Sequence, residues 1–204
     1  MKRILNLPNF ITILGIILAI WANSLAFSGL EKIQLIILLV LGAGLTDLLD
    51  GAIARKYHLE TQVGAFLDRL RDKILICPLL ILVLQKPPTF LEEITFSLLR
   101  ALVYSMLLAE GILVISGIVG VIKKKSLASN KYGKRKMFFQ FLTVLVWVVA
   151  VGLREYPENS FLISGLSYLI TLLLFLAVIY GFLSLRGYWE LYFKKEQHLE
   201  RSQV

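Results

Sequence analysis

The chain has 204 residues, of which 57% are hydrophobic and 18% charged, against about 25% charged in an ordinary soluble domain. With a mean hydropathy of +0.75, that excludes a disordered chain and argues against a soluble globule. The balance is basic, 22 Lys and Arg against 14 Asp and Glu; one cysteine, Cys77, and two distant histidines, His58 and His198, exclude a disulfide framework and speak against a histidine zinc site.

Residues 1–9 read as a short segment lying at the membrane interface. Apolar runs then follow at 10–28, 33–54, 66–85, 94–122, 138–154 and 161–185, each near the length of about 20 residues that crosses a bilayer. Every such span has to be helical, because lipid offers no partner to a bare backbone amide. Pro78 predicts a kink in the third span. The first run is too long for the apolar part of a cleavable signal, and no small-residue cleavage site follows it. The tail from Gly187 to Val204 alternates apolar and charged residues, which predicts a surface-lying helix on the cytoplasmic side. The expected fold is all-α: one membrane domain over 1–204, a bundle of six transmembrane helices with no internal repeat.

Loop charge predicts the orientation. One side carries 18 of the 22 basic residues, among them Lys2, Arg55, Arg71, Lys134 and Lys136; the other carries Lys32, Lys86, Arg100 and Arg154. By the positive-inside rule both termini lie in the cytoplasm, with the protein multi-pass in a cell inner membrane. This bias also accounts for the net charge without any nucleic-acid partner, and it favours contact with anionic membrane lipid.

Five acids stand in or against these apolar helices: Asp47, Asp50, Asp68, Asp72 and Glu110. A carboxylate in hydrocarbon costs roughly 2.5–3.5 kcal/mol even on lenient scales, so each calls for a partner or a role. Asp47 and Asp50, three apart, share a helix face, as do Asp68 and Asp72, four apart. The first pair closes the second span and the other opens the third, so a short hairpin brings both to one cytoplasmic end. The macrodipole alone would favour acids where a helix begins, but it disfavours Asp50 where one ends. Spacing places Arg69, Arg71 and Lys73 largely on other faces from Asp68 and Asp72. An oxygen-only donor set points to a hard divalent ion such as Mg²⁺ or Mn²⁺. Gly51, Ala52, Ala54 and Gly64 leave backbone open beside the carboxylates, and Arg55 at the mouth can pair with phosphate or serve as a positive-inside anchor. Gly42, Gly44, Gly117 and Gly120 read as close helix packing.

Read together, Asp47-Leu-Leu-Asp50-Gly51-Ala-Ile-Ala54-Arg55, eight residues, then Gly64-Ala-Phe-Leu-Asp68-Arg-Leu-Arg-Asp72 resembles the signature of the CDP-alcohol phosphatidyltransferase family, D-x-x-D-G-x-x-A-R, eight residues, G-x-x-x-D-x-x-x-D. Eight fixed positions, each matched about one time in twenty, coincide by chance on the order of once in 10⁸ chains of this length. The resemblance implies transfer of a phosphatidyl group from a CDP-linked lipid such as CDP-diacylglycerol to an alcohol, with release of CMP, in a homodimeric enzyme of phospholipid synthesis. It implies that Asp47, Asp50, Asp68 and Asp72 hold two divalent ions, that Asp72 is also the catalytic base, and that Asp47, Gly51, Ala54, Arg55, Gly64 and Asp68 bind the CDP moiety.

Two further stretches bear on the acceptor. Asn6-Leu-Pro8-Asn9-Phe-Ile-Thr12 resembles the opening of the phosphatidylglycerophosphate synthase branch and of related cardiolipin synthases. Gly133-Lys134-Arg135-Lys136 with Gln140 resembles a further stretch of that synthase branch. The implied acceptor is glycerol 3-phosphate, with Lys134, Lys136, Glu110 and Arg71 as candidate acceptor residues. Departures from the branch pattern are Gly15 and Ile118 where arginines are expected, Ala109 before Glu110, Met137 in place of threonine, and Arg69 in place of proline. Phosphatidylglycerol, an inositol phosphate or another polar alcohol therefore stays open as acceptor. From a different class, the aspartates could serve a divalent-cation transporter, although such sites favour the midplane of repeated, broken helices.

Overall fold

A computed structural model describes residues 6–87, 93–122 and 131–201, and all of its long elements are helices. They are α1 (Leu7–Ser28), α2 (Ile33–Lys56), α3 (Gln62–Gln85), α4 (Glu93–Ile122), α5 (Lys131–Gly152) and α6 (Ser160–Arg201), with two short 3₁₀ turns at Leu153–Glu155 and Pro157–Asn159 between α5 and α6. Five of them, all but α3, are long and apolar enough to cross a membrane. The opening turns of α3 carry Asp68, Arg69, Arg71, Asp72 and Lys73, which dilute its hydropathy. Large apolar side chains face outward, among them Ile94, Leu108, Phe161 and Phe182, as a lipid-embedded surface requires. The protein is an integral membrane protein.

Several boundaries differ from those expected, for local reasons. Asn6 caps α1, its side chain accepting from the Asn9 amide at 3.0 Å, and Pro8 fits the first turn, where no intrahelical amide bond is lost. The helix therefore begins three residues before the apolar run. Helix α5 starts at Lys131, because its basic first turns are helical although they are not apolar. Helix α6 continues without a break to Arg201, so the expected separate tail helix is an extension of the last span.

Helices α1 and α3 run in the same direction, with α2 antiparallel to both. α1 packs along each of them, whereas α2 and α3 touch each other little. Small residues, Gly15, Ala19, Ala22 and Ala26, make the buried seam of α1 that permits this approach. Gly42 lies against Leu18, and Gly44 against the Phe141 ring, where an added Cβ would come within 2.5 Å. Their expected packing role stands; the side-chain surroundings of Gly117 and Gly120 fall outside the described residues.

Polar side chains inside the bundle complete backbone bonding. Pro78 has no N–H, so the Ile74 carbonyl lacks its helical donor; Asn23 of α1 donates to it at 2.7 Å. At the far end of the bundle Trp147 donates to the Lys86 carbonyl at 3.0 Å, and Lys86 Nζ reaches the Ala26 carbonyl at 3.1 Å, closing the ends of α3 and α1. The hydroxyls of Thr143, Ser167 and Thr171 bond back to carbonyls four residues earlier, which conceals them from lipid.

Candidate active site at the end of the second and third helices

The α2–α3 turn sets the site. Helix α2 ends with His58 in the left-handed region at φ 53°, the Leu59 amide returning to the Ala54 carbonyl at 2.9 Å. Thr61 then caps α3 by accepting from the Gly64 amide at 2.9 Å. The start of α1 braces this turn: Asn6 Nδ2 donates to the Leu59 carbonyl at 2.8 Å, and the Asn9 amide group lies 3.4 Å from Thr61 Oγ1. Gly64 packs tightly against α1: a Cβ would stand 2.5 Å from Asn9 Oδ1, so the Asn9 side chain would have to shift.

The four aspartates meet as the hairpin predicted. Ligand oxygens of Asp47, Asp50 and Asp68 lie within 4.8 Å of one another. Asp50 is buried, Asp47 and Asp68 leave 46% and 45% of their side chains exposed, and Asp72 leaves 21%. The group is open on the Asp47 and Asp68 side and closed around Asp50. Thr12 Oγ1 lies 2.6 Å from Asp50 Oδ2, which fixes the deepest carboxylate to α1.

Arg71 does not sit on another face, as spacing alone indicated. Its guanidinium joins all four acids: Nη1 donates to Asp50 Oδ2 at 2.7 Å, Nη2 pairs with Asp47 and Asp68, and Asp72 Oδ1 is 3.5 Å away. The residue is 1% exposed. Asp68 and Arg71 are three apart and so share a face, and the long side chain covers the remaining distance. Gly15 makes the space: a Cβ there would stand 2.8 Å from Arg71 Cδ and 2.5 Å from Thr46 Oγ1.

Glu110 centres a second buried cluster. It pairs with Lys73, with Lys136 Nζ at 2.6 Å and with Gln140 Nε2 at 2.8 Å. Lys73 was missed as a partner, although it follows Asp72 directly and links the two clusters along α3. Lys136 is buried with Glu110, Lys134 is exposed, and Arg71 stands with the aspartates, so the four candidate acceptor residues divide among three places. Gly51, Ala54 and Arg55 line the last turns of α2, with the Arg55 guanidinium folded over Gly51, 3.3 Å from where a Cβ would be.

The sequence model of the CDP-alcohol phosphatidyltransferase family matches residues 5–185. The chain is similar to the CDP-diacylglycerol–glycerol-3-phosphate 3-phosphatidyltransferase of Rickettsia bellii, 34% identical over 150 residues, 71% of this chain and 75% of that one. It is similar to the Haemophilus influenzae protein of the same name, 37% identical over 86 residues, and there the match spans 42% of this chain and 46% of the relative. A cardiolipin synthase (CMP-forming) of Oryza sativa is 51% identical over 47 residues, 23% of this chain and 14% of that one.

Proposed function

The chain belongs to the CDP-alcohol phosphatidyltransferase family and is a membrane-embedded phosphatidyl transferase; we propose that its donor is CDP-diacylglycerol, that its acceptor is glycerol 3-phosphate, and that CMP is released. The observation that carries this reading is the convergence of four carboxylates from two helices at one end of an apolar bundle. An amphipathic donor needs that position, with its tails in lipid and its nucleotide in water. The excess of basic residues at the same end supports an active site facing the cytoplasm, with both termini inside.

The residues fit a divalent cation. All the donors are hard oxygens, and a spread of 4.8 Å suits ligand distances of about 2.0–2.6 Å to Mg²⁺ or Mn²⁺. Asp47, Asp50, Asp68 and Asp72 would hold it, and it would supply charge neutralisation at the attacked phosphate and the departing CMP. The chain's own groups do the rest. Thr12 orients Asp50. Asp72, between the aspartate cluster and Lys73, accepts the proton of the acceptor hydroxyl. Gly51, Ala54 and Gly64, which the family resemblance assigns to CDP, lie at the end of α2 and the start of α3 beside the aspartates, and Arg55 meets the CDP phosphates.

Lys136 and Lys73 give the Glu110 cluster a surplus of positive charge one residue along α3 from Asp72. That favours a phosphate-bearing acceptor, and Glu110 holds both ammonium groups in place. The name of the Rickettsia bellii relative points to the same acceptor. One family match over residues 5–185 supports a single membrane domain, and the family resemblance carries the expectation of a homodimer, which a mass measurement in detergent checks.

The test is CMP release from CDP-diacylglycerol by the purified protein in detergent, with Mg²⁺ or Mn²⁺ and a panel of alcohols. Release stimulated by glycerol 3-phosphate and abolished by a chelator supports the proposal. Stimulation by phosphatidylglycerol or inositol phosphate instead would move the acceptor, and no CMP with any alcohol would refute the assignment.

A further inference from the structure

Arg71 places a fixed positive charge inside the group of acids that the proposed function assigns to divalent cations. We infer that Arg71 permanently takes the place of one of the two ions that the family resemblance implies, so that this chain binds a single divalent cation. The inference rests on the metal-binding reading of the four aspartates.

Three observations carry it. The guanidinium already spans the site: Nη1 is on Asp50, Nη2 is on Asp47 and Asp68, and Asp72 is within 3.5 Å. These are the three carboxylates that come within 4.8 Å of one another, plus the fourth, so any ion has to share their oxygens with Arg71. The side chain is also seated: it is 1% exposed, with Cδ lodged where a Cβ at position 15 would stand 2.8 Å away. Finally, the group cannot leave by losing its proton, since a guanidinium stays charged in proteins, and moving it out of four carboxylates would strand a buried charge.

What remains is one-sided. Asp50, the deepest acid, accepts from both Thr12 and Arg71 on the same oxygen, Oδ2. Asp47 and Asp68 are half-open to solvent. A carboxylate has two oxygens, so these residues can hold Arg71 on one and a cation on the other. A second doubly charged ion would have to lie beside the guanidinium, against like-charge repulsion. Gly15 is part of the device, because a side chain there would drive Arg71 out of its seat.

The test is a Mn²⁺ titration of the purified full chain in detergent with CDP present, free Mn²⁺ being read by electron paramagnetic resonance, for the wild type, Arg71→Lys and Arg71→Leu. Thermal unfolding with and without EDTA is measured in parallel. The inference expects one Mn²⁺ per chain in the wild type and in Arg71→Lys, a second bound ion in Arg71→Leu, and a fall in melting temperature on EDTA addition that is smaller for the wild type than for Arg71→Leu. The melting temperature of Arg71→Leu is expected to fall in EDTA and to recover with Mn²⁺. Two ions per wild-type chain would overturn the inference and leave the proposed function standing, and the wild-type count decides this even if Arg71→Leu does not fold. No bound Mn²⁺ in the wild type would overturn the metal-binding reading itself.

Discussion

The hydroxyl of Thr12 lies 2.6 Å from Oδ2 of Asp50, so the first helix holds the deepest carboxylate of a site built on the second and third. Thr12→Val keeps the shape of the side chain and removes this hydrogen bond. Outer partners of metal ligands typically contribute 10- to 100-fold to affinity or activity. We expect Thr12→Val to weaken Mn²⁺ binding by about 10- to 100-fold, measured by titration, with unfolding temperature nearly unchanged.

Asn23 satisfies the Ile74 carbonyl that Pro78 leaves without a helical donor, at 2.7 Å. Asn23→Ala leaves a buried carbonyl without that donor, at a cost of about 1–3 kcal/mol. Thermal unfolding in detergent should show the loss. Asn23→Ala combined with Pro78→Ala should recover part of it, because alanine restores the N–H at position 78.

Gly64 lies where a Cβ would be 2.5 Å from Asn9 Oδ1 and 3.0 Å from Thr61 Oγ1. Gly64→Ala therefore has to displace the Asn9 side chain from the cap of α3, which loosens the brace through which α1 holds Thr12 against Asp50. CMP release should fall more than tenfold, a loss of at least about 1.4 kcal/mol in transition-state stabilisation, while Gly111→Ala, with nothing within 4 Å of the new Cβ, leaves the rate unchanged.

How much of this was legible in sequence differs between the two clusters. The spacing of Asp47, Asp50, Asp68 and Asp72 fixes which helix faces they occupy, and a short turn leaves those faces little choice but to meet. Arg71 was placed elsewhere because its neighbour Asp72 suggests a different face, whereas its relation to Asp68 and the reach of its side chain decide the matter. The partners of Glu110 were hidden because Lys73, Lys136 and Gln140 come from α3 and α5, and helix periodicity says nothing about which distant helix lies opposite. The Asn6, Asn9 and Thr12 stretch stood out through its resemblance to the synthase branch, but its contacts with Leu59, Thr61 and Asp50 are tertiary. The early start of α1 was written in Asn6 and Pro8; apolar content alone passed over it.

Lys136 is buried against Glu110 while Lys134 is exposed, so the two lysines should not behave alike. Lys136→Met should raise the KM for glycerol 3-phosphate about 10- to 100-fold, the worth of a charged hydrogen bond, with the KM for CDP-diacylglycerol little changed. Lys134→Met should have a much smaller effect. Steady-state kinetics with each substrate varied separately distinguishes them.

The most direct measurement is CMP release from CDP-diacylglycerol and glycerol 3-phosphate by the wild type beside Asp47→Asn, Asp50→Asn, Asp68→Asn and Asp72→Asn, each shown by size-exclusion to be folded. If the four carboxylates form one catalytic site, every substitution lowers the rate by about 10²- to 10⁴-fold. A folded variant of any of the four that released CMP at close to the wild-type rate would contradict the account.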